Sequence, residues 1–271
     1  MWEGVPLRRA HAAADPDTAP RRVALPLAWD SDAAAGLAGL VPGSGPVSLP
    51  GAAEAWIGRA TDSGRRAGLL DAAASHHLAE ALRALVLTRR GAPGAEIWRG
   101  GAPKGQEPRF VLNLPAFLEP EGGFDLAGYA AACGIGIRAL DCLTGARAAR
   151  LRQGFADLAG LLAGLGLAYD SPDGRAVAAG IAALTRGAAE AESGRIAERL
   201  GACEPVALLW PTPPAATVVP GLAAAAWAAL EAAAAAPGLR HLSRVLLVAP
   251  RTVGHAASGN LGWHGSICGV G

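Results

Sequence analysis

The sequence predicts an α+β fold in which helix predominates, and three observations carry that prediction. Stretches rich in Ala, Leu and Arg run on without proline, above all Leu69 to Arg90 and the residues after Pro172. Apolar runs of strand length are few: Val23 to Leu27, Phe110 to Leu114, and Arg244 to Ala249. Hydrophobic residues make up 51% and charged residues 17%, a balance that builds a packed core rather than a disordered chain.

Residues 1–22 are polar and Pro-bearing and read as a loose leader, with a single domain over 23–271. After the strand at Val23 to Leu27, Asp30 or Ser31 offers a cap for a helix running toward Leu40. The segment "PGSGPVSLPG" carries Pro or Gly at nearly every second residue and reads as a loop. In Leu69 to Arg90, Leu70, Leu78, Leu82 and Leu85 lie near one helical face, and Arg89 and Arg90 suit the C-terminal dipole. Gly91 to Arg109 is polar and rich in Gly and Pro, so 92–109 reads as a long loop. Four further helices are expected at about 125–142, 147–166, 172–200 and 221–236. Gly166 suits a helix C-terminus and Pro172 a helix start.

The net charge of +1 gives no field that would argue for nucleic acid or a membrane surface. The longest apolar tract, Gly221 to Pro237, is Ala-dominated, holds Glu231, and reads as a buried helix. Cys133, Cys142, Cys203 and Cys268 are scattered without a CxxC pair, which fits a reducing cytoplasm. His76 and His77 are adjacent on a helix and cannot ligate from one face, so no metal site is expected there. His255, His264 and Cys268 fall in a Gly-rich tail that fixes no geometry. There is no GxxxxGK loop, GxSxG elbow or HExxH pair. Trp98 beside Arg99 sits in the long loop, where the pair either stacks a nucleobase or partner or packs down onto the domain.

One resemblance adds to this. "LNLPAFLEPEGGFDLAGYAAACGIGIRALD" is similar to the INLAxFV…GGFDxxxLxxxVxxAVRFLDN segment of ribonucleotide reductase large subunits, especially the adenosylcobalamin-dependent class. "GLGLAYDS" resembles that family's LGIPYDS turn, and "AAEAESGRIAERLGAC" its ASxELAxERGxFP. The order and spacing agree from Leu112 to Cys203. More weakly, "RVLLVAPRTVG" is similar to the TxxAPTGT phosphate loop, which would make Arg251, Thr252 and Gly254 phosphate-binding; an ordinary turn is the alternative. The resemblance implies a fragment of the reductase α-subunit, its helical region plus part of the barrel.

The departures decide what function to expect. The family carries its radical chemistry on an Asn-x-Cys-x-Glu loop just before this segment. Gly91 to Arg109 holds neither Cys nor Asn, and only a thiol can supply a thiyl radical. No catalytic residue is therefore assigned. The reading favoured is a catalytically degenerate, reductase-like scaffold in the cytoplasm that binds a nucleotide, a cobalamin, or a protein partner or second copy of itself. Two alternatives stay open. One is ribonucleotide reduction for DNA-precursor synthesis with adenosylcobalamin, in a site completed by another chain. The other is a helical interaction module with no ligand.

Overall fold

The computed structural model describes residues 2–101, 107–145, 150–203 and 212–247, the last six by backbone alone. Two small open sheets lie among eight helices in these residues. In the first sheet β1 (Leu7–Ala12) pairs antiparallel with β2 (Arg21–Pro26), and β2 pairs parallel with the two-residue β3 (Val47–Ser48). The segment expected as a loose leader thus contributes an edge strand. In the second sheet β4 (Gly91–Pro93) runs antiparallel to β5 (Arg109–Asn113), which is followed by β6 (Arg150–Ala156) and β7 (Leu242–Leu247) in parallel.

This arrangement corrects the expected barrel fragment. Both sheets are mixed and unclosed, and they are separate rather than arcs of one continuous parallel wall. The edge beside β5 is occupied by β4, only three residues long and ending in Pro93, which blunts it against further pairing.

The helices follow local chemistry closely. In α1 (Ser31–Leu40) the Asp30 carboxylate accepts the Ala33 amide at 2.8 Å. "PVSLPG" is not a loop, because Ser48 caps α2 (Leu49–Arg66) and Pro50 occupies the first turn, where no amide partner is needed. Asp71 caps α3 (Ala72–Leu87), and the four-residue α4 (Ala95–Trp98) lies within the expected long loop. Asp125 caps α5 (Leu126–Leu143). That helix is long and apolar enough to cross a bilayer, but it carries Arg138 and Asp141 and packs against α2, α7 and β5.

The expected helix over 147–166 is wrong in its first half. Residues 150–156 are the central strand β6, and α6 (Leu158–Gly164) follows after Asp157 turns the chain with φ 61°. Ala, Leu and Arg in "RLRQGFA" favour helix in isolation, but pairing on both edges overrides propensity. Gly166, at φ 71°, closes α6 as the Leu167 amide reaches the Leu162 carbonyl and the Gly166 amide that of Ala163.

The longest element is α7 (Pro172–Leu200), capped by Ser171, and α8 (Leu222–Ala234) lies along it. Their contact is set by Gly180, Gly187 and Gly194, spaced seven apart on one side of α7. A Cβ at Gly187 would sit 2.7 Å from the Ala229 and Leu230 backbone, and one at Gly194 2.5 Å from the Ala236 side chain.

Two outcomes test this packing. Gly187→Ala should lower the urea midpoint by an amount corresponding to about 1–3 kcal/mol, since backbone has to move to admit the methyl group. Gly58→Ala, in mid-α2 with nothing within 4 Å of the added carbon, should instead stabilise by about 0.5–1 kcal/mol.

The N-terminus is tied down by charge. Arg83 of α3 bonds both oxygens of Glu54 of α2, at 2.6 and 2.7 Å, and Trp2 Nε1 donates to the same carboxylate at 2.5 Å. The Arg83 hydrogen bond outweighs partial burial and holds Glu54 below its ordinary value of 4.5. A lowered carboxylate contributes stability above its unfolded pKa and loses it as pH falls through the folded one. Glu54→Gln should therefore lower the melting temperature at pH 7, and the gap to the parent should close as pH drops below 4.5.

Candidate ligand edge and buried polar tie

The parallel strands β5, β6 and β7 finish together. Asn113 lies opposite Ala156, and Phe155 opposite Leu247, so three carboxyl ends share one edge. In open α/β sheets, ligands bind outside such ends. Because β4 runs the other way, Arg90 enters the sheet at this same edge, where its carbonyl accepts the Asn113 amide at 2.9 Å.

Arg90 is committed to structure. Its Nε donates to the Ala116 carbonyl at 3.0 Å, its Nη1 to Asp125 Oδ2 at 2.8 Å, and its guanidinium lies 4.7 Å from the Phe117 ring centre. Asp157, which ends β6, accepts the Gly160 amide at 2.9 Å. The half-buried Asn113 side chain, at this edge, has no hydrogen-bond partner among the described residues. Arg251, Thr252 and Gly254, the phosphate-binding residues expected from the sequence, lie outside the described residues, within seven positions of the end of β7.

The other expected pair is placed differently. Trp98 is 6% exposed, meets Trp56 edge-on at 5.7 Å, and donates from Nε1 to the Pro93 carbonyl at 3.1 Å. Arg99 donates to the Gly39 carbonyl at 3.3 Å and stays at the surface. In this arrangement the indole faces the core, so the two do not form a common stacking platform. The loop's carboxylates are also engaged: Glu96 is buried beside Arg109, and Glu107 accepts from Arg152 Nε at 2.5 Å.

Cys133 and Cys142 are free thiols inside the core. Burial pushes Cys142 up to about 12, and Cys133 rises for the same reason. Both stay protonated thiols at neutral pH. Cys203 is exposed, and its sulfur accepts from Arg240 Nη1 at 3.4 Å. His76 and His77 have ring centres 6.3 Å apart, and among the described residues no three His, Cys, Asp or Glu side chains converge as metal ligands.

A buried polar tie, absent from the sequence reading, joins three elements. His241, just before β7, donates from Nε2 to Asp141 Oδ1 of α5 at 2.6 Å, and both side chains are 0% exposed. The Ser193 hydroxyl of α7 donates to His241 Nδ1 at 3.1 Å and accepts the Arg240 and His241 amides at 3.1 and 3.0 Å. These are the residue types of a hydrolytic triad, but Ser193 is fully buried and makes three protein hydrogen bonds, so no substrate reaches it. The arrangement fastens the start of β7 to α5 and α7. Partners 48 and 100 residues apart leave no spacing signal; an Asp in an apolar helix was the one visible hint.

His241→Ala would strand a buried carboxylate, whose Oδ2 already lacks a partner. The expected loss is about 3–5 kcal/mol in chemical denaturation, and a His241→Leu/Asp141→Leu double variant should recover much of it.

No protein-family model matches the chain, and no curated protein matches it.

Proposed function

We propose that the chain is a catalytically silent scaffold that binds a phosphorylated ligand of the nucleotide class at the carboxyl edge of β5, β6 and β7, with Arg251, Thr252 and Gly254 as its anion donors. The alignment of the three strand ends carries this reading. In the sequence the last of them is followed by "VAPRTVG", so a guanidinium, a hydroxyl and a Gly amide come within seven residues of its end. The resemblance of residues 112–203 to nucleotide reductases supports nucleotide as the ligand class.

The silence rests on the stretch from Gly91 to Arg109, which holds no Cys, and on the described thiols. Adenosylcobalamin acts as a radical source, and a thiol has to face it to take up the radical. Among the described residues Cys133 and Cys142 are sealed in the core, and Cys203 lies beyond α7 rather than on the parallel strands. The described residues therefore do not fit that cofactor, and no step is assigned to it.

Thermal melting of the purified chain against nucleoside mono-, di- and triphosphates tests the reading. A ligand at 100 times its Kd should add about 2.7 kcal/mol and raise Tm by several degrees. Arg251→Ala should remove most of that shift while leaving the unliganded Tm in place. No shift with any nucleotide overturns the binding, and deoxynucleotide formed in an anaerobic assay with adenosylcobalamin overturns the silence.

A further inference from the structure

A second feature, remote in sequence from residues 248–254, also has the chemistry of an anion site. A cavity of about 270 Å³ opens between the residues leading into α3, α5, and the last turns of α7. Three guanidiniums line it, those of Arg138, Arg195 and Arg199. Each is anchored on one side only. Arg138 turns its Nε and Nη2 to Glu192 Oε1, each at 2.6 Å, Arg195 Nε donates to Glu192 Oε2 at 2.8 Å, and Arg199 Nη1 donates to the Leu69 carbonyl at 2.6 Å.

Glu192 is the organising group. Its side chain is 2% exposed, whereas Arg138 and Arg195 are 38% and 61% exposed. One buried carboxylate thus holds two guanidiniums side by side at the cavity wall, with both of its own oxygens used. The remaining N–H groups of the three arginines have no protein acceptor among the described residues. Glu198 also lines the cavity, so three positive groups face two negative ones, an excess of positive charge in a concave space that focuses the field. Leu70 and Ile196 add an apolar wall.

We propose that this cavity binds a small phosphate monoester, its phosphate on Arg138, Arg195 and Arg199 and its apolar portion against Leu70 and Ile196. Planar forks that are already fixed bind tetrahedral oxyanions with little further ordering, and a dianion answers an excess of charge better than a carboxylate does. The volume lies at the lower end for small-molecule pockets, so it suits a phosphate with a short body rather than a nucleoside triphosphate. The site is independent of the nucleotide reading and uses none of its residues.

Phenyl phosphate and inorganic phosphate serve as probes, followed by calorimetry and ³¹P line broadening, with acetate as the monoanion control. Phenyl phosphate should bind more tightly than phosphate, acetate should not bind measurably, and binding should weaken as NaCl is raised. Arg195→Ala, at an exposed position that leaves Arg138 on Glu192, should weaken phenyl phosphate about tenfold or more. Arg199→Ala should weaken it in the same direction, and Arg251→Ala should change nothing. No binding to the parent chain at 10 mM (roughly the limit of weak specific recognition) overturns the proposal. So does unchanged affinity in a folded Arg195→Ala, or loss of binding in Arg251→Ala, which would move the probe to the strand edge.

Discussion

The fold depends on how closely α8 can lie on α7. A helix built mainly from Ala and Gly offers little side-chain area, so burial has to come from proximity of the backbones themselves. Gly180, Gly187 and Gly194 supply that proximity, and a methyl group at Gly187 would already overlap backbone of the partner helix. The last of the three has a further effect. Close approach at Gly194, where an added Cβ would lie 3.8 Å from the Gly238 carbonyl, brings the chain beyond α8 down beside Ser193. The Arg240 and His241 amides can then reach the Ser193 hydroxyl, and β7 enters the sheet next to β6. A glycine spacing in one helix thereby sets the position of a strand in the sheet.

Burial in α7 is polar as well as apolar. Thr185, Glu190, Glu192 and Ser193 are all buried, with Thr185 bonded to Tyr129 at 2.6 Å and Glu190 paired with Arg186. Small side chains define packing poorly, because neighbouring registers of Ala against Ala differ little in contact area. Buried groups bonded across helices, Thr185 to Tyr129 and Glu192 to Arg138, break that near-degeneracy, since a shift by one residue would leave them unpaired at a cost of about 1–3 kcal/mol. In this chain the polar groups fix which faces of α5 and α7 meet, while the glycines fix how near α8 lies.

What the sequence made legible follows the same division. Local signals were readable: the Asp30 cap, the leucine face of α3, the Pro172 start of α7 and the Gly166 end of α6 all come from neighbouring residues. Elements that owe their form to distant partners were not. The first half of the expected 147–166 helix is strand because β5 and β7 flank it, and β1 is a strand because β2 is beside it. The reading of "PVSLPG" failed for a different reason, since Ser48 and Pro50 are start signals for α2 that Pro and Gly punctuation obscured. Half of the candidate ligand edge shared this fate: residues after β7 suggested an anion loop, but the neighbouring ends at Asn113 and Ala156 required knowing that β6 is a strand. The cavity beside Glu192 left no trace, because Arg138 and Glu192 are 54 residues apart.

The near-absence of lysine bears on both proposed anion sites. Lys104 is the only lysine, so the cationic chemistry of this chain is guanidinium chemistry. Whatever compositional cause lies behind it, the physical consequence is specific. An ammonium is a point charge that a buried carboxylate neutralises one to one, whereas a guanidinium can give one edge to a protein acceptor and keep N–H groups for another. Arg90 uses this capacity fully within the fold, on Ala116, Asp125 and the Phe117 ring. Arg138, Arg195 and Arg199 use half of it. A saturated arginine holds the strand edge in shape, and half-saturated ones around a single buried carboxylate keep donors to spare, which is the physical difference between a structural cation and the proposed binding ones.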